Sequence, residues 1–295
     1  MPLTYRKLAV VALGASPYGL DVSPDGARVA QACFDQKLRV YDAATMQELK
    51  RVHVGSSFPH GVVFLADQSA IGAGGRALSL FDASAFKRVG ALKGHRDEIL
   101  RAAAPASNTH LVTVSGASYR GADCSLRVWD RQTLAPLIRW KLDAQPYGLD
   151  VRHDAGFVAA ATSAGEIVGG QLDDAAPRWS HRVDDWFYES RFTPEGDEVW
   201  AVGDRGVVTV LDAVTGAPRR SLALEGATRG LAHLPEGRFA YAHKTLVVAD
   251  RDGAVVWRSE PLAQGVAHVA ASRDGLRLFV ACFEPASLWV FEREG

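Results

Sequence analysis

Cysteine is scarce: the 295-residue chain has three, Cys33, Cys124 and Cys282. They are odd in number and widely spaced, with no C-x-x-C pair and no histidine at zinc-ligand spacing. That excludes a disulfide framework and a zinc site of that pattern, leaving buried free thiols in a reducing compartment. Neither sign of charge is in excess, since 33 Lys and Arg face 34 Asp and Glu. A nucleic-acid binder would carry a basic surplus, so nucleic acid is set aside as a partner. No apolar run is long enough to span a bilayer, which sets the membrane aside too. H-E-x-x-H, P-loop and S-x-x-K signatures are missing, so no metal, cofactor or catalytic residue is expected. Helical periodicity is also missing. Apolar residues alternate or cluster over five to eight positions between Gly, Pro, Asp and Asn, which is the pattern of short strands.

Repetition is present instead. The phrase "PYGLDV" stands at Pro17 and again at Pro146. A turn signal follows each such opening: "SPDG" at Ser23, "LADQ" at Leu65, "PASN" at Pro105, "RHDA" at Arg152, "TPEG" at Thr193, "LPEG" at Leu234 and "SRDG" at Ser272. Successive signals start 42, 40, 47, 41, 41 and 38 residues apart. Seven units of that length match four-stranded propeller blades. In blade 1 the strands are "YGLDV" (a), "ARVAQAC" (b), "LRVYD" (c) and "QELKRVHV" (d). The third strand recurs as "LSLFD", "LRVWD", "VTVLD", "LVVAD" and "LWVFE", its terminal acid starting the next turn. The last unit stops after "LWVFE" without a fourth strand, whereas "RKLAVVAL" precedes blade 1. The N-terminal segment is therefore expected to complete blade 7 and remove an open edge. It loosely imitates a signal peptide, which would place the protein in the periplasm or outside the cell; as a strand it favours a cytoplasmic location. The expected fold is all-β: a single seven-bladed propeller of antiparallel four-stranded blades spanning residues 1–295.

The stretch from Gly14 to Gly55, "GASPYGLDVSPDGARVAQACFDQKLRVYDAATMQELKRVHVG", resembles the repeat of YVTN-type bacterial propellers in its G-x-S-P-x-G opening, S-P-D-G turn and V-x-D-x-x-T ending. Blade 3 is more similar to a WD repeat, with Gly94-His95 before strand a and Trp129-Asp130 closing strand c. In such repeats the histidine bonds an Asp of the b–c turn and a Ser or Thr of strand b. The resemblance thus implies a structural brace of His95, Ser115, Asp123 and Trp129. It covers essentially the whole chain and speaks for fold rather than function, because propellers host enzymes, receptors and scaffolds.

Two glycine motifs lose their chemistry in this setting. "GAGGRA" at Gly72 satisfies G-x-G-x-x-A, but a strand follows where a dinucleotide needs a helix N-terminus. "GASYR" at Gly116 lacks the second glycine of a nucleophile elbow and lies between strands. The a-strands are more informative, since equivalent residues should ring the central channel. One position reads Tyr18, His60, Leu100, Tyr147, Tyr188, Arg229, Ala267; the next reads Gly19, Gly61, Arg101, Gly148, Glu189, Gly230, His268. Aromatic and basic groups converge there, with Glu189 the one carboxylate in the two series. Arg101 and Arg229 suit a carboxylate or phosphate, and the tyrosines suit stacking. The blade 5 opening "DDWFYE" offers Trp186 as an anchor, since three successive aromatics cannot share one strand face. Tyr119 and Arg120, on the long b–c connection of blade 3, are expected to overhang the same rim.

These residues point to a non-catalytic binding or scaffold propeller that presents its funnel rim to a protein or acidic peptide. Alternatives are a receptor for a small anion, or a lactonase- or hydrolase-like enzyme using channel residues. The latter chemistries want several convergent carboxylate, Asn or His ligands, and this ring departs from that pattern.

Overall fold

The computed structural model describes residues 3–55, 58–116, 123–152 and 156–294. The described residues form seven four-stranded antiparallel sheets. The innermost strands are Pro17–Val22, Gly61–Phe64, Ile99–Ala103, Pro146–Val151, Phe187–Phe192, Leu231–Leu234 and Gln264–Ala271. Each packs against the innermost strand of the next blade, and the last packs against the first, so the ring closes. The seventh sheet is completed by Tyr5–Ala12, which pairs antiparallel with Ser287–Arg293 from Tyr5 opposite Arg293 to Ala12 opposite Ser287. No helix among the described residues is long and apolar enough to cross a membrane.

The repeated letters have local causes. Asp42 ends a third strand, and its carboxylate accepts the backbone N–H groups of Ala44 and Thr45 and the Thr45 hydroxyl. Asp212 does the same for Val214 and Thr215. In the "SPDG" turn the Ser23 hydroxyl donates to Asp25 and accepts from the Arg28 N–H, while Gly26 takes a left-handed φ of 70°. Ser272, Asp274 and Gly275 repeat this turn in blade 7.

Seven apolar clusters hold the ring, and each draws its residues from two successive blades. Strand alternation explains how one strand serves two of them. Val40 joins the cluster shared with blade 2, while Tyr41, its neighbour, joins the one shared with blade 7. Trp129 is fully buried between blades 2 and 3; truncating such a side chain costs about 3–5 kcal/mol. The outermost strands carry most of the solvent-facing residues, as in Glu48–His53.

Blade 4 departs from the expected third-strand phrase. Its strand Glu166–Gln171 reads "EIVGGQ", because the Trp179 ring occupies the space a Cβ would need at Gly169.

Candidate functional site

The innermost strands of blades 1, 3, 4, 5 and 7 share an irregularity. Their pairing slips between Pro17 and Leu20, Ile99 and Arg101, Pro146 and Gly148, Phe187 and Glu189, and Val266 and His268. An extra residue at that point is a β-bulge, which re-aims side chains and breaks simple alternation. Two consecutive positions therefore face the axis at different depths, and the channel is built in tiers.

The outer tier is the mouth. Tyr18, His60, Leu100, Tyr147, Tyr188, Arg229 and Ala267 all line one cavity of about 390 Å3, together with Trp186, Arg101 and Phe283. Aromatic rings run most of the way round it. Tyr147 lies 5.9 Å from Tyr188 and 6.2 Å from Trp186. Tyr18 lies 4.2 Å from His60 and 6.0 Å from both Phe34 and Phe283, and Phe34 stacks on Phe58 at 3.9 Å. Arg229 joins the two arcs: its guanidinium sits 4.6 Å over Tyr188 and 5.8 Å from Phe283. Burial raises the Tyr18, Tyr147 and Tyr188 hydroxyls above their ordinary pKa. On the blade 2–3 side the lining is of mixed charge, with Asp97, Glu98 and Arg76, and Glu98 lies 3.2 Å from His60.

The "DDWFYE" stretch divides three ways. Phe187 is fully buried in the blade 4–5 interface, Tyr188 lines the mouth, and Trp186 stands at the rim with 40% of its surface exposed. Asp185 fixes that corner by accepting the N–H groups of Trp186 and Arg205.

The second tier is the waist, and here the placement differs from a rim. Glu189 and His268 are 0% and 2% exposed and face each other at 3.2 Å. They are enclosed behind the mouth rather than on it. Arg101 stands beside them and borders both ends of the channel. Large residues from blades 3, 5 and 7 fit at the axis because their neighbours are glycines; a Cβ on Gly148 would fall 2.6 Å from the Ser190 nitrogen. Burial alone would raise the Glu189 carboxyl, but Arg191, His268 and Arg101 outweigh it and hold it at about 2. Burial lowers the His268 pKa against the pull of Glu189.

Beyond the waist a cavity of about 580 Å3 opens at the opposite end, with Asp21, Asp150 and Arg191 on its wall. Here the repeated "PYGLDV" finds its cause. Asp21 accepts the N–H of Phe64 in blade 2 at 2.7 Å, and Asp150 accepts the N–H of Phe192 in blade 5 at 2.9 Å. Each aspartate fastens its blade to the next. Glu189 is consequently not the one carboxylate on the axis, and Asp21, Asp150, Asp97 and Glu98 offset the basic groups counted from the two series.

The brace residues come together in blade 3, with one participant that sequence reading missed. His95 Nε2 lies 2.7 Å from Thr113 Oγ1 and Nδ1 lies 2.6 Å from Ser115 Oγ. Trp129 Nε1 donates to Thr113 at 2.8 Å, and Ser115 donates to the Asp123 carbonyl at 2.9 Å. Burial and Arg127 lower His95 to about 4, so the ring is neutral near pH 7. The donors then run one way: Trp129 to Thr113 to His95 Nε2, and His95 Nδ1 to Ser115 to Asp123. The Asp123 carboxylate, 3.7 Å from Nδ1, also takes Arg127 and Arg139.

Tyr119 and Arg120 lie outside the described residues. Phe34 and Phe283 were missed although a signal existed: "ACF" occurs at both Ala32–Phe34 and Ala281–Phe283, the same b–c corner of blades 1 and 7. "GAGGRA" runs from strand Ala70–Gly74 into strand Leu78–Asp82, with no helix between them.

Residues 86–130 match the family described as WD domain, G-beta repeat. That segment runs from the last strand of blade 2 to the end of the third strand of blade 3, and it contains the whole brace. Together with the seven blades, the match makes this chain a WD-repeat-like propeller. No curated protein matches it.

Proposed function

We propose that the chain is a non-catalytic binding module whose channel mouth takes a segment of a protein partner. The observation that carries this reading is the aromatic girdle, continuous from Trp186 through Tyr147, Tyr188, Arg229 and Phe283 to Tyr18 and Phe34. Its two ends stay open to solvent, Trp186 at 40% and Phe34 at 45% exposure. Large aromatic and Arg side chains at a concave rim are the groups that dominate recognition hot spots. Catalysis at the axis is the weaker alternative, because the His268–Glu189 pair is enclosed and each partner is committed to the other. The near-balance of charge favours a protein over nucleic acid. The free, buried Cys33 and Cys282, with thiols pushed up to about 12 by burial, suit a reducing cytoplasmic setting.

Panning a random peptide library on the immobilised protein tests the reading. Selected peptides should bind Trp186→Ala about 30-fold or more weakly, since an anchor contributes about 2 kcal/mol or more. The melting temperature should move little, because Trp186 is at the rim. Peptides that bind the variant as well as the parent would refute the mouth as the binding surface.

A further inference from the structure

We propose that the mouth is a carboxylate receptor, in which an acidic group entering from the rim is held between Arg229 and Arg101. This rests on reading the mouth as the binding surface and names the chemistry that it takes.

Arg229 is stacked rather than paired. Tyr188 and Phe283 flank its guanidinium, and among the described residues no carboxylate lies within ion-pair distance of it. Stacking occupies the flat faces of a guanidinium and leaves its N–H edges to point outward, where a carboxylate accepts two parallel bonds. Arg101 lines the same cavity one tier deeper. It donates one N–H to the Leu100 carbonyl at 3.0 Å, its buried Nε has no hydrogen-bond partner, and among the described residues it too forms no ion pair. Glu189, the carboxylate that acts on Arg101 at longer range, is taken up by Arg191 at 3.4 Å and His268 at 3.2 Å. A part-buried guanidinium without a carboxylate partner keeps an uncompensated charge beside the cavity, and an incoming carboxylate supplies what it lacks.

The rest of the lining sets direction. On the blade 2–3 side Asp97 and Glu98 offset Arg76 and His60. Arg229 on blade 6 has no carboxylate within ion-pair distance among the described residues, so an anion is drawn to that side. Tyr147 borders the same cavity and brings a phenol hydroxyl. A cavity of about 390 Å3 holds one or two side chains and not a folded domain. It also opens directly onto the exposed Trp186, so a carboxylate carried on a peptide gains contacts that a free acid does not.

The probes are acetyl-Gly-Glu-Gly-amide, its Gln counterpart, and glutarate, each titrated by NMR against the full chain. The Glu tripeptide should shift mouth resonances at millimolar concentration, the range that two charge-assisted contacts reach. The Gln tripeptide should bind at least about tenfold more weakly. Arg229→Met and Arg101→Met should each weaken the Glu tripeptide by about tenfold or more, and Arg229→Lys should fall between. Glutarate binding as tightly as the tripeptide assigns the site to a free acid; tighter tripeptide binding assigns it to a peptide side chain. Both outcomes uphold a carboxylate receptor. Equal binding of the Glu and Gln tripeptides overturns it without reference to any variant's folding. So does the absence of shifts from the Glu tripeptide and glutarate up to about 10 mM. If library peptides depend on Trp186 while these acids fail, only this inference falls and the mouth stands as the binding surface.

Discussion

Blade 3 and blade 1 each rely on a buried aspartate, and they use it in opposite ways. Asp123 braces its own blade: it accepts the Arg96 N–H and pairs with Arg127 and Arg139, which outweigh burial and hold its carboxyl at about 2. Asp21 reaches out of its blade to a backbone N–H of blade 2, with Arg191 acting only at longer range, and burial pushes its carboxyl up to about 6. The two carboxylates keep different company. Two guanidinium groups in contact favour the charged form, whereas two N–H groups do not overcome desolvation. A WD-type blade is thereby rigid within itself, and a "PYGLDV" blade is fastened to its successor.

The comparison breaks most directly by removing each carboxylate. Asp123→Ala leaves Arg127, Arg139 and His95 without their shared partner and should cost about 3 kcal/mol, the low end for breaking a buried pair because Arg139 is half exposed. Asp21→Ala leaves the Val22 and Phe64 N–H groups without their carboxylate and should cost about 1–2 kcal/mol. Urea unfolding of both variants measures this; equal losses would mean that the two devices do not differ. A sharper form is the double variant. The two aspartates serve different blades and share no partner, so their costs should add to within about 0.5 kcal/mol, and a larger coupling would show that brace and clasp act as one unit.

The smallest effect is in pH. The folded protein keeps a proton on Asp21 to about pH 6, while the unfolded chain releases it near 3.8. Stability from this group therefore falls as pH rises through that window. Asp123 and Glu189 have the opposite sign: folded at about 2 against 3.8 and 4.5 unfolded, they stabilise above those values and lose that contribution as pH drops towards 2. Burial holds His95 and His233 at about 4 and about 3 against 6.5 unfolded, so they also lose their contribution as pH drops below 6.5. Together they outweigh Asp21, and the urea midpoint should climb from pH 4 to about 6.5 and then level off. Asp21→Asn removes the opposing contribution and should steepen that climb between about pH 4 and pH 6. An Asp21→Asn variant whose climb is no steeper than the parent's would contradict the raised Asp21.

The number of blades, the turns and the seam in blade 7 were legible because each is written in local chemistry. An Asp that closes a third strand must find the next turn's N–H groups, and Ser-Pro-Asp-Gly must turn. Depth in the channel was not legible. The bulge after Phe187 sends Tyr188 to the mouth and Glu189 to the buried waist, although they are adjacent in sequence. Thr113 was hidden for a different reason: in "HLVTVS" it reads as an ordinary β-branched strand residue, and its hydroxyl's task comes from His95 and the Trp129 indole, both distant in sequence. The clasp was in view all along as the Asp of "PYGLDV", but a hydrogen bond to a neighbouring blade's main chain leaves no trace in that blade's side chains.

The seam has a consequence for how the protein is made. Tyr5–Ala12 leaves the ribosome about 275 residues ahead of its hydrogen-bonding partner Ser287–Arg293. At translation rates of roughly 5–20 residues per second, that strand waits about 15–60 s with an unpaired edge. In "YRKLAVVA" Tyr5 docks buried, whereas Arg6 and Lys7 stay exposed. Those two charges keep a nascent strand from pairing with its copy on a neighbouring chain during the wait.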